Sequence, residues 1–302
     1  MAKQHILITG GSGLLGKDLT DALLRQGHQV SHLSRTHGKN QQVKTYLWNV
    51  EQGQIDEACV DGVDTIIHLA GAGIADKRWT EERKKLLINS RTESIRLIYD
   101  VLKKHPHNVK NIISASATGY YSNRGDELLT ETSRPMHDFL GTCCIEWEKA
   151  VDEGKQLGLN VTKFRTGVVL TQQGGALPQL AMPIKLGFGS ALGSGKQWVP
   201  WIHWQDVVDM YLYAIEGHCP PGVYNMVAPH PVTNQQLTQA VAKQLHKPLW
   251  LPNVPAFVLK RIFGEMNLVV LGSTRVSSHK IEQAGFQFKY PDVAKALQNI
   301  YG

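Results

Sequence analysis

The segment Thr9-Gly10-Gly11-Ser12-Gly13-Leu14-Leu15-Gly16 follows directly on the apolar run Ile6-Leu7-Ile8. A buried strand that enters a glycine turn and then a helix commits a chain to an α/β architecture. Glycine adopts dihedrals that a Cβ forbids, and it lets the main chain approach a ligand closely. The helix opening at Leu14 points free N–H groups and its positive dipole end back at the turn, which suits a pyrophosphate. Gly16 has no side chain, so helix and strand can pack closely. The helix carries Leu15, Leu19, Ala22 and Leu23 at helical spacing and stops at Gly27. This setting predicts a dinucleotide site built from Gly10, Gly11, Ser12, Gly13, Leu14, Leu15 and Gly16.

The end of the next strand selects the dinucleotide. Gln29-Val30-Ser31-His32-Leu33 reads as strand two. An NAD site places Asp or Glu about 20 residues past the glycines, on the ribose 2′-OH. Here that place holds Ser34-Arg35-Thr36. An acid would repel a 2′-phosphate; a guanidinium pairs with it, at roughly 1.5–3 kcal/mol per charged hydrogen bond. Ser34 and Arg35 therefore predict NADP(H) over NAD(H). The alternative is an exposed loop arginine with no ligand.

Bulk properties narrow the partners. A length of 302 residues suits a two-part α/β protein. The net charge of +6 is spread without a long basic run. Its densest stretch, Lys77-Arg78 with Arg83-Lys84-Lys85, encloses Glu81-Glu82 and reads as a solvated helix face. No nucleic-acid partner is expected. The N-terminus enters a strand at once, without a signal peptide, and no apolar run approaches the ~20 residues of a membrane span. Cys59, Cys143, Cys144 and Cys219 show neither metal spacing nor a disulfide framework. The expectation is a cytoplasmic chain with no metal and no membrane partner, taking a small-molecule substrate. A homodimer is left open.

Strand and helix signals alternate through the first half. Further strands are expected at Val43–Val50, Val63–Gly71, Val109–Ala115 and Asn160–Leu170. Helices are expected at Thr80–Lys104 and Phe139–Leu157, the latter closed by Gly158. This alternation predicts a Rossmann-type, doubly wound parallel sheet with ligands at the carboxyl ends of its strands. Arg35, Ala70-Gly71, Ser116 and Gly167 fall there. The second half is broken by glycine and proline. It holds a short strand at Val223–Val227, a helix from Thr233 or Asn234 to His246, an extended Pro248–Pro255 and two closing helical stretches. The division expected is an NADP-binding domain over 1–170, to which 201–217 returns, and a smaller mixed substrate lobe over 171–302.

Several segments in this order carry a resemblance. They are the glycine turn, His68-Leu69-Ala70-Gly71, Ser114-Ala115-Ser116 and Trp201-Ile202-His203-Trp204-Gln205-Asp206. Together they resemble the extended short-chain dehydrogenases/reductases, relatives of nucleotide-sugar epimerases. Other segments resemble the atypical branch called the epimerase family: Gly73 to Trp79, Asn89-Ser90-Arg91, Ala117 to Tyr121, Arg165 to Leu170, Gly193-Ser194-Gly195 and Tyr224 to Pro229. The resemblance implies that Leu69, Ala70, Gly71 and Val168 line the cofactor. Arg91, beside Asn89, is expected at a cofactor phosphate or ribose, with a surface salt bridge as the alternative.

The general reaction of that larger family uses Ser with Tyr-x-x-x-Lys. Tyrosine transfers a proton while hydride moves at nicotinamide C4, lysine lowers the tyrosine pKa, and serine orients the carbonyl. Ser116 matches the serine. The stretch where Tyr-x-x-x-Lys belongs reads Phe139-Leu140-Gly141-Thr142-Cys143. Phe donates no proton, and Cys is no substitute for the lysine cation. Tyr120 and Tyr121 remain, either as proton donor or as packing aromatics. Cys143 as a nucleophile lacks an activating histidine nearby in sequence. His203 either faces substrate or is structural, and Asp206 reads as a helix cap. The family's diphosphate-gripping arginine is replaced by Val199, which argues against a nucleoside-diphosphate sugar; Lys196 compensates only as a point charge. Trp198, Trp201 and Trp204 suggest an aromatic-lined pocket or a lobe core. Two functions follow from the resemblance and its departures: an NADP(H)-dependent oxidoreductase or epimerase-like enzyme, or an NADP(H)-binding sensor without turnover.

Overall fold

Eight strands form the central sheet of the computed structural model, which describes residues 3–38 and 40–302. They are β1 (His5–Thr9), β2 (Gln29–Ser34), β3 (Lys44–Asn49), β4 (Gln54–Ile55), β5 (Thr65–His68), β6 (Asn111–Ala117), β7 (Asn160–Thr166) and β8 (Gly222–Met226). The spatial order is β8-β7-β6-β5-β1-β2-β3-β4. All neighbours run parallel except β3 and β4. The order reverses at β1, between β2 and β5. That reversal opens a crevice at the carboxyl ends of the strands, and the glycine turn after β1 lies in it.

α1 (Leu14–Arg25) and α5 (Trp204–Ile215) cover one face of the sheet and α2 (Glu81–Lys104) and α3 (Phe139–Asp152) the other, while α4 (Ala176–Lys185) and α6 (Asn234–Gln244) lie in the smaller lobe. Ile6 and Ile8 of β1 pack with Leu19 and Leu23 of α1 and with Val207 and Tyr211 of α5. Leu7 faces the other way, into a core with Ile66, Ile95, Ile98 and Val151. β1 is therefore apolar on both faces, as a central parallel strand requires. Burial of each such aliphatic side chain contributes about 1.5–3 kcal/mol. α1 stops where Gly27 takes φ +81°. α2 starts where the Thr80 hydroxyl accepts from the Arg83 N–H at 3.1 Å.

Three expectations need correction. The apolar run 160–170 is two strands. β7 ends at Thr166, and Val168–Leu170 pairs in parallel with Trp201–His203 in a separate small sheet. The break is at Gly167, where a Cβ would lie 2.4 Å from the Pro200 carbonyl oxygen. Strand five ends at His68, because the Thr9 hydroxyl accepts from both the Leu69 and Ala70 N–H groups at 3.1 Å and turns the chain there. The strand 222–226, expected in the smaller lobe, is the edge strand of the main sheet, with α5 as its crossover.

The smaller lobe packs α4, α6 and the closing helix Val293–Tyr301 around Leu177, Ala181, Ile184, Leu237, Val241 and Leu297. The capping box Thr233/Gln236 starts α6. The C-terminal chain also returns to the sheet, placing Ile281 and Phe286 in the α1/α5 core. Asp206 holds that return: its carboxylate accepts from the N–H groups of Lys289 (2.7 Å) and Tyr290 (3.1 Å). The cap of α5 is instead His203, whose Nδ1 accepts from the Gln205 N–H. Among the described residues no helix is long and apolar enough to cross a membrane.

Candidate cofactor and substrate site

The glycine turn is shaped by contacts that exclude side chains. Gly10 has φ +73°, and a Cβ there would press on the Leu69 carbonyl at 3.1 Å. A Cβ on Gly11 would enter the His32 ring at 2.4 Å, and one on Gly16 would lie 2.4 Å from the Gly10 oxygen. His32 is fixed against the Thr20 hydroxyl at 2.8 Å, and burial pulls its pKa down, which favours the neutral ring. α1 begins at Gly13 with no side-chain cap and no acid in its first turn. Ser12, Gly13 and Leu14 are exposed. A cradle of uncapped N–H groups, walled by glycines, fits the pyrophosphate of a dinucleotide.

Thr9 was not foreseen. Its hydroxyl joins the ends of β1 and β5 and so fixes Leu69, Ala70 and Gly71 beside the glycine turn. Ser34 ends β2, and Arg35 follows it, exposed, at the carboxyl end of the strand. His68 is buried under this floor between Ser94 Oγ (2.8 Å) and Ser114 Oγ (3.1 Å). Burial, with Arg91 nearby, pulls its pKa down to about 3.

Arg91 braces this floor. Its guanidinium donates to the carbonyls of Leu87 (2.7 Å) and Ala72 (2.9 Å) and lies 5.0 Å over Trp147. A Cβ on Gly71 would come within 3.0 Å of its Cζ. The guanidinium thus supports the 71–72 turn, and it makes no salt bridge among the described residues. Val168 follows the break at Gly167, and its N–H donates to Pro200 O at 2.6 Å.

Behind the crevice lies a buried polar network. Arg165 binds Glu148 through two parallel hydrogen bonds of 2.8 and 2.9 Å. Burial alone would lower the guanidinium's pKa; the hydrogen bonds and charge of Glu148 more than offset it and hold Arg165 protonated. Ser116 Oγ donates to the same carboxylate at 2.7 Å. The serine expected to orient a substrate carbonyl is thus engaged inside the protein. Tyr121 is fully buried, donates to Asn225 Oδ1 (2.7 Å) and accepts from Arg165 (2.9 Å). Burial, opposed by Arg165, pushes its pKa up to about 12. A hydroxyl engaged on both sides is a strut between β7, β8 and the 118–121 turn.

Tyr120 is placed differently. Its ring lies 3.4 Å from the Arg165 guanidinium and edge-on to Tyr121. It is half-buried, and its hydroxyl has no hydrogen bond among the described residues. Cys143 and Cys144 are buried, and burial raises both thiol pKa values, which removes Cys143 as a nucleophile. His203 is buried against Tyr290, its pKa lowered by burial to about 4. The tryptophans do not line one pocket. Trp201 is in the lobe core, Trp204 packs on the α1/α5 core, and Trp198 donates to Asp126 at 2.8 Å. Lys196 is exposed and Val199 half-buried.

This geometry coincides with a sequence match. Residues 6–226 fit the NAD dependent epimerase/dehydratase family. The chain belongs to that family. Residues 254–300 match a domain of unknown function, DUF1731. Epimerase family protein YfhF of Bacillus subtilis is 36% identical over 298 residues, 98% of this chain and 97% of that one. An epimerase family protein of Staphylococcus aureus is 34% identical over 99% of both chains. Among solved structures, human epimerase family protein SDR39U1 with NADPH superposes with a TM-score of 0.87 at 29% identity, covering 98% of this chain and 99% of that one. A nucleoside-diphosphate sugar epimerase from Corynebacterium glutamicum gives 0.82 at 30% identity, covering 100% of this chain and 59% of that one.

Within this epimerase/dehydratase fold, the departures from Tyr-x-x-x-Lys have clear places. Phe139 packs edge-on against Trp79, with ring centroids 4.7 Å apart, and the Lys84 ammonium stands 5.6 Å from its ring. The α3 segment that would carry the catalytic pair is thus apolar packing. Asp138 caps it by accepting from the Gly141 N–H at 3.0 Å.

Proposed function

We propose that the protein binds NADP(H) and acts as an oxidoreductase or epimerase-like enzyme on a small carbonyl or hydroxyl substrate. The observation that carries the cofactor choice is Arg35, exposed at the end of β2 with no carboxylate on the strand end beside it. The human relative's structure with NADPH supports the same choice. The glycine turn and the start of α1 would hold the pyrophosphate, and Ser34 with Arg35 the 2′-phosphate. Leu69, Ala70, Gly71 and Val168 would wall the remainder. Bound NADP(H) supplies or accepts hydride at C4 of the nicotinamide.

The test is a fluorescence titration with NADPH and NADH. The protein should prefer NADPH, and Arg35→Ala should weaken NADPH by roughly tenfold or more, the loss of one charged hydrogen-bond pair, with NADH unchanged. Equal affinities in the unaltered protein would overturn the assignment.

For the chemistry, Tyr120 would carry the proton on its hydroxyl oxygen, a reading supported by the Arg165 guanidinium 3.4 Å from its ring. Tyr120→Phe should abolish NADPH oxidation by a carbonyl panel while leaving NADPH affinity intact. Tyr121→Phe should retain turnover and instead lower stability by about 1–3 kcal/mol, because it leaves buried polar partners unsatisfied. Full turnover in Tyr120→Phe would remove that role.

One observation favours a second reading. Phe139 and the buried Cys143 occupy the place of the usual catalytic pair. A non-catalytic NADP(H)-binding sensor or regulatory protein needs no such pair. Tight NADPH binding without oxidation by any carbonyl would favour the sensor.

A further inference from the structure

No Asp or Glu occurs between Glu153 and Asp206, nor between Glu216 and Glu265, in a chain that holds 26 acidic residues. These stretches build much of the smaller lobe and bring Lys185, Lys196, Lys243, Lys247, Lys260 and Arg261 to it. Asp292, at the start of the closing helix, is occupied by His230 at 2.7 Å. One face of this lobe is also unusually apolar. Met182 (62% exposed), Leu186 (64%) and Phe188 (64%) follow one another along α4 and the turn after it. Met182 and Leu186 stand one helical turn apart on the same side. Trp250 (67% exposed) joins them, its indole donating to the Gly187 carbonyl at 3.1 Å. Met182, Lys185 and Leu186 line a groove of about 390 Å³ against Tyr301.

We propose that this face docks on an anionic lipid surface. Met182, Leu186, Phe188 and Trp250 enter the boundary between headgroups and acyl chains, while Lys185 and Lys247 reach the lipid phosphates. Lysine stems extend along apolar surface and keep the ammonium at the polar level, and indole favours the same boundary. The charge pattern selects this occupant. A second copy meeting the face symmetrically would set its lysines against their own counterparts. A protein partner is held in register by paired charges and directional hydrogen bonds, and this face offers cations and apolar side chains with no carboxylate in its sequence segments. Such docking requires no membrane-spanning helix.

The experiment is co-sedimentation of the full chain with phosphatidylcholine vesicles, with and without phosphatidylglycerol. Binding should require phosphatidylglycerol and weaken with added salt. Lys185→Ala and Lys247→Ala should each reduce vesicle affinity about fivefold. Phe188→Ser combined with Trp250→Ser should reduce it by more than about tenfold. All these positions lie outside the proposed cofactor cradle, so each variant should keep its NADPH titration. Failure here is therefore separable from failure of the cofactor reading. No binding to phosphatidylglycerol vesicles at low salt, or binding unchanged in every variant, would overturn the proposal. A dimer in sedimentation velocity that Trp250→Ser dissolves would also overturn it and assign the face to a second copy.

Discussion

Glu148→Ala is expected to lower folding stability by about 3–5 kcal/mol, the usual loss when one partner of a buried ion pair is removed. Glu148 and Arg165 are both buried, so the orphaned guanidinium has no water to replace the carboxylate. The loss spreads, since Ser116 donates to the same carboxylate and Tyr121 accepts from the same guanidinium. Urea unfolding followed by circular dichroism measures the change. The double substitution Glu148→Leu with Arg165→Met should recover much of it, because an apolar pair of similar volume leaves no charge unpaired. A loss below about 1 kcal/mol in the single variant would mean that water reaches the pair and that the network is not a structural anchor.

Gly16→Ala should reduce NADPH affinity by at least about tenfold, ~1.4 kcal/mol. The added methyl would sit 2.4 Å from the Gly10 oxygen and 2.6 Å from the Gly11 Cα. Both are backbone atoms, so no rotamer change relieves the clash. Either α1 moves off β1 or the turn flattens, and both displace the N–H cradle. Gly13→Ala is the informative companion. There the nearest atom is 3.2 Å away, and φ is −73°, which any residue adopts. The fold should hold, so a loss of NADPH affinity there would report the new methyl meeting the pyrophosphate itself. Equal affinity for Gly16→Ala and the unaltered protein would show that the glycine turn does not carry the cofactor.

What could be read from the sequence was what local spacing determines. β1, the glycine turn, α1 and its stop at Gly27 depend on residues close in sequence, and they were found where expected. The Thr80 cap and the Gly158 stop were legible for the same reason. The break at Gly167 was not, because the contact that demands glycine comes from Pro200, far along the chain. Val168 to Leu170 simply continues an apolar run. Thr9, Glu148 and Asn225 were missed because a lone polar residue says nothing until its partners are in place. Position in a motif points Arg91 and Ser116 toward ligands and leaves Tyr121 as proton donor or packing aromatic. In the structure their polar atoms are taken by Ala72, Glu148 and Asn225. The three tryptophans looked like one cluster because they are close in sequence, yet an alternation of strand and helix sends them to different places.

The clamp of Asp206 on Lys289 and Tyr290 bears on how the chain can assemble during synthesis. The core beneath α1 and α5 is closed by Ile281 and Phe286, which leave the ribosome long after the helices that they cover. Loop-closure entropy must be met across nearly the whole chain before those contacts form. Until then the nascent sheet exposes an apolar face, the condition under which chains recruit chaperones or associate with one another. The boundary between residues 226 and 254 that the two sequence matches draw is therefore not a seam in the folded molecule. Removing residues 254–300 would strip Ile281 and Phe286 from the underside of the central sheet.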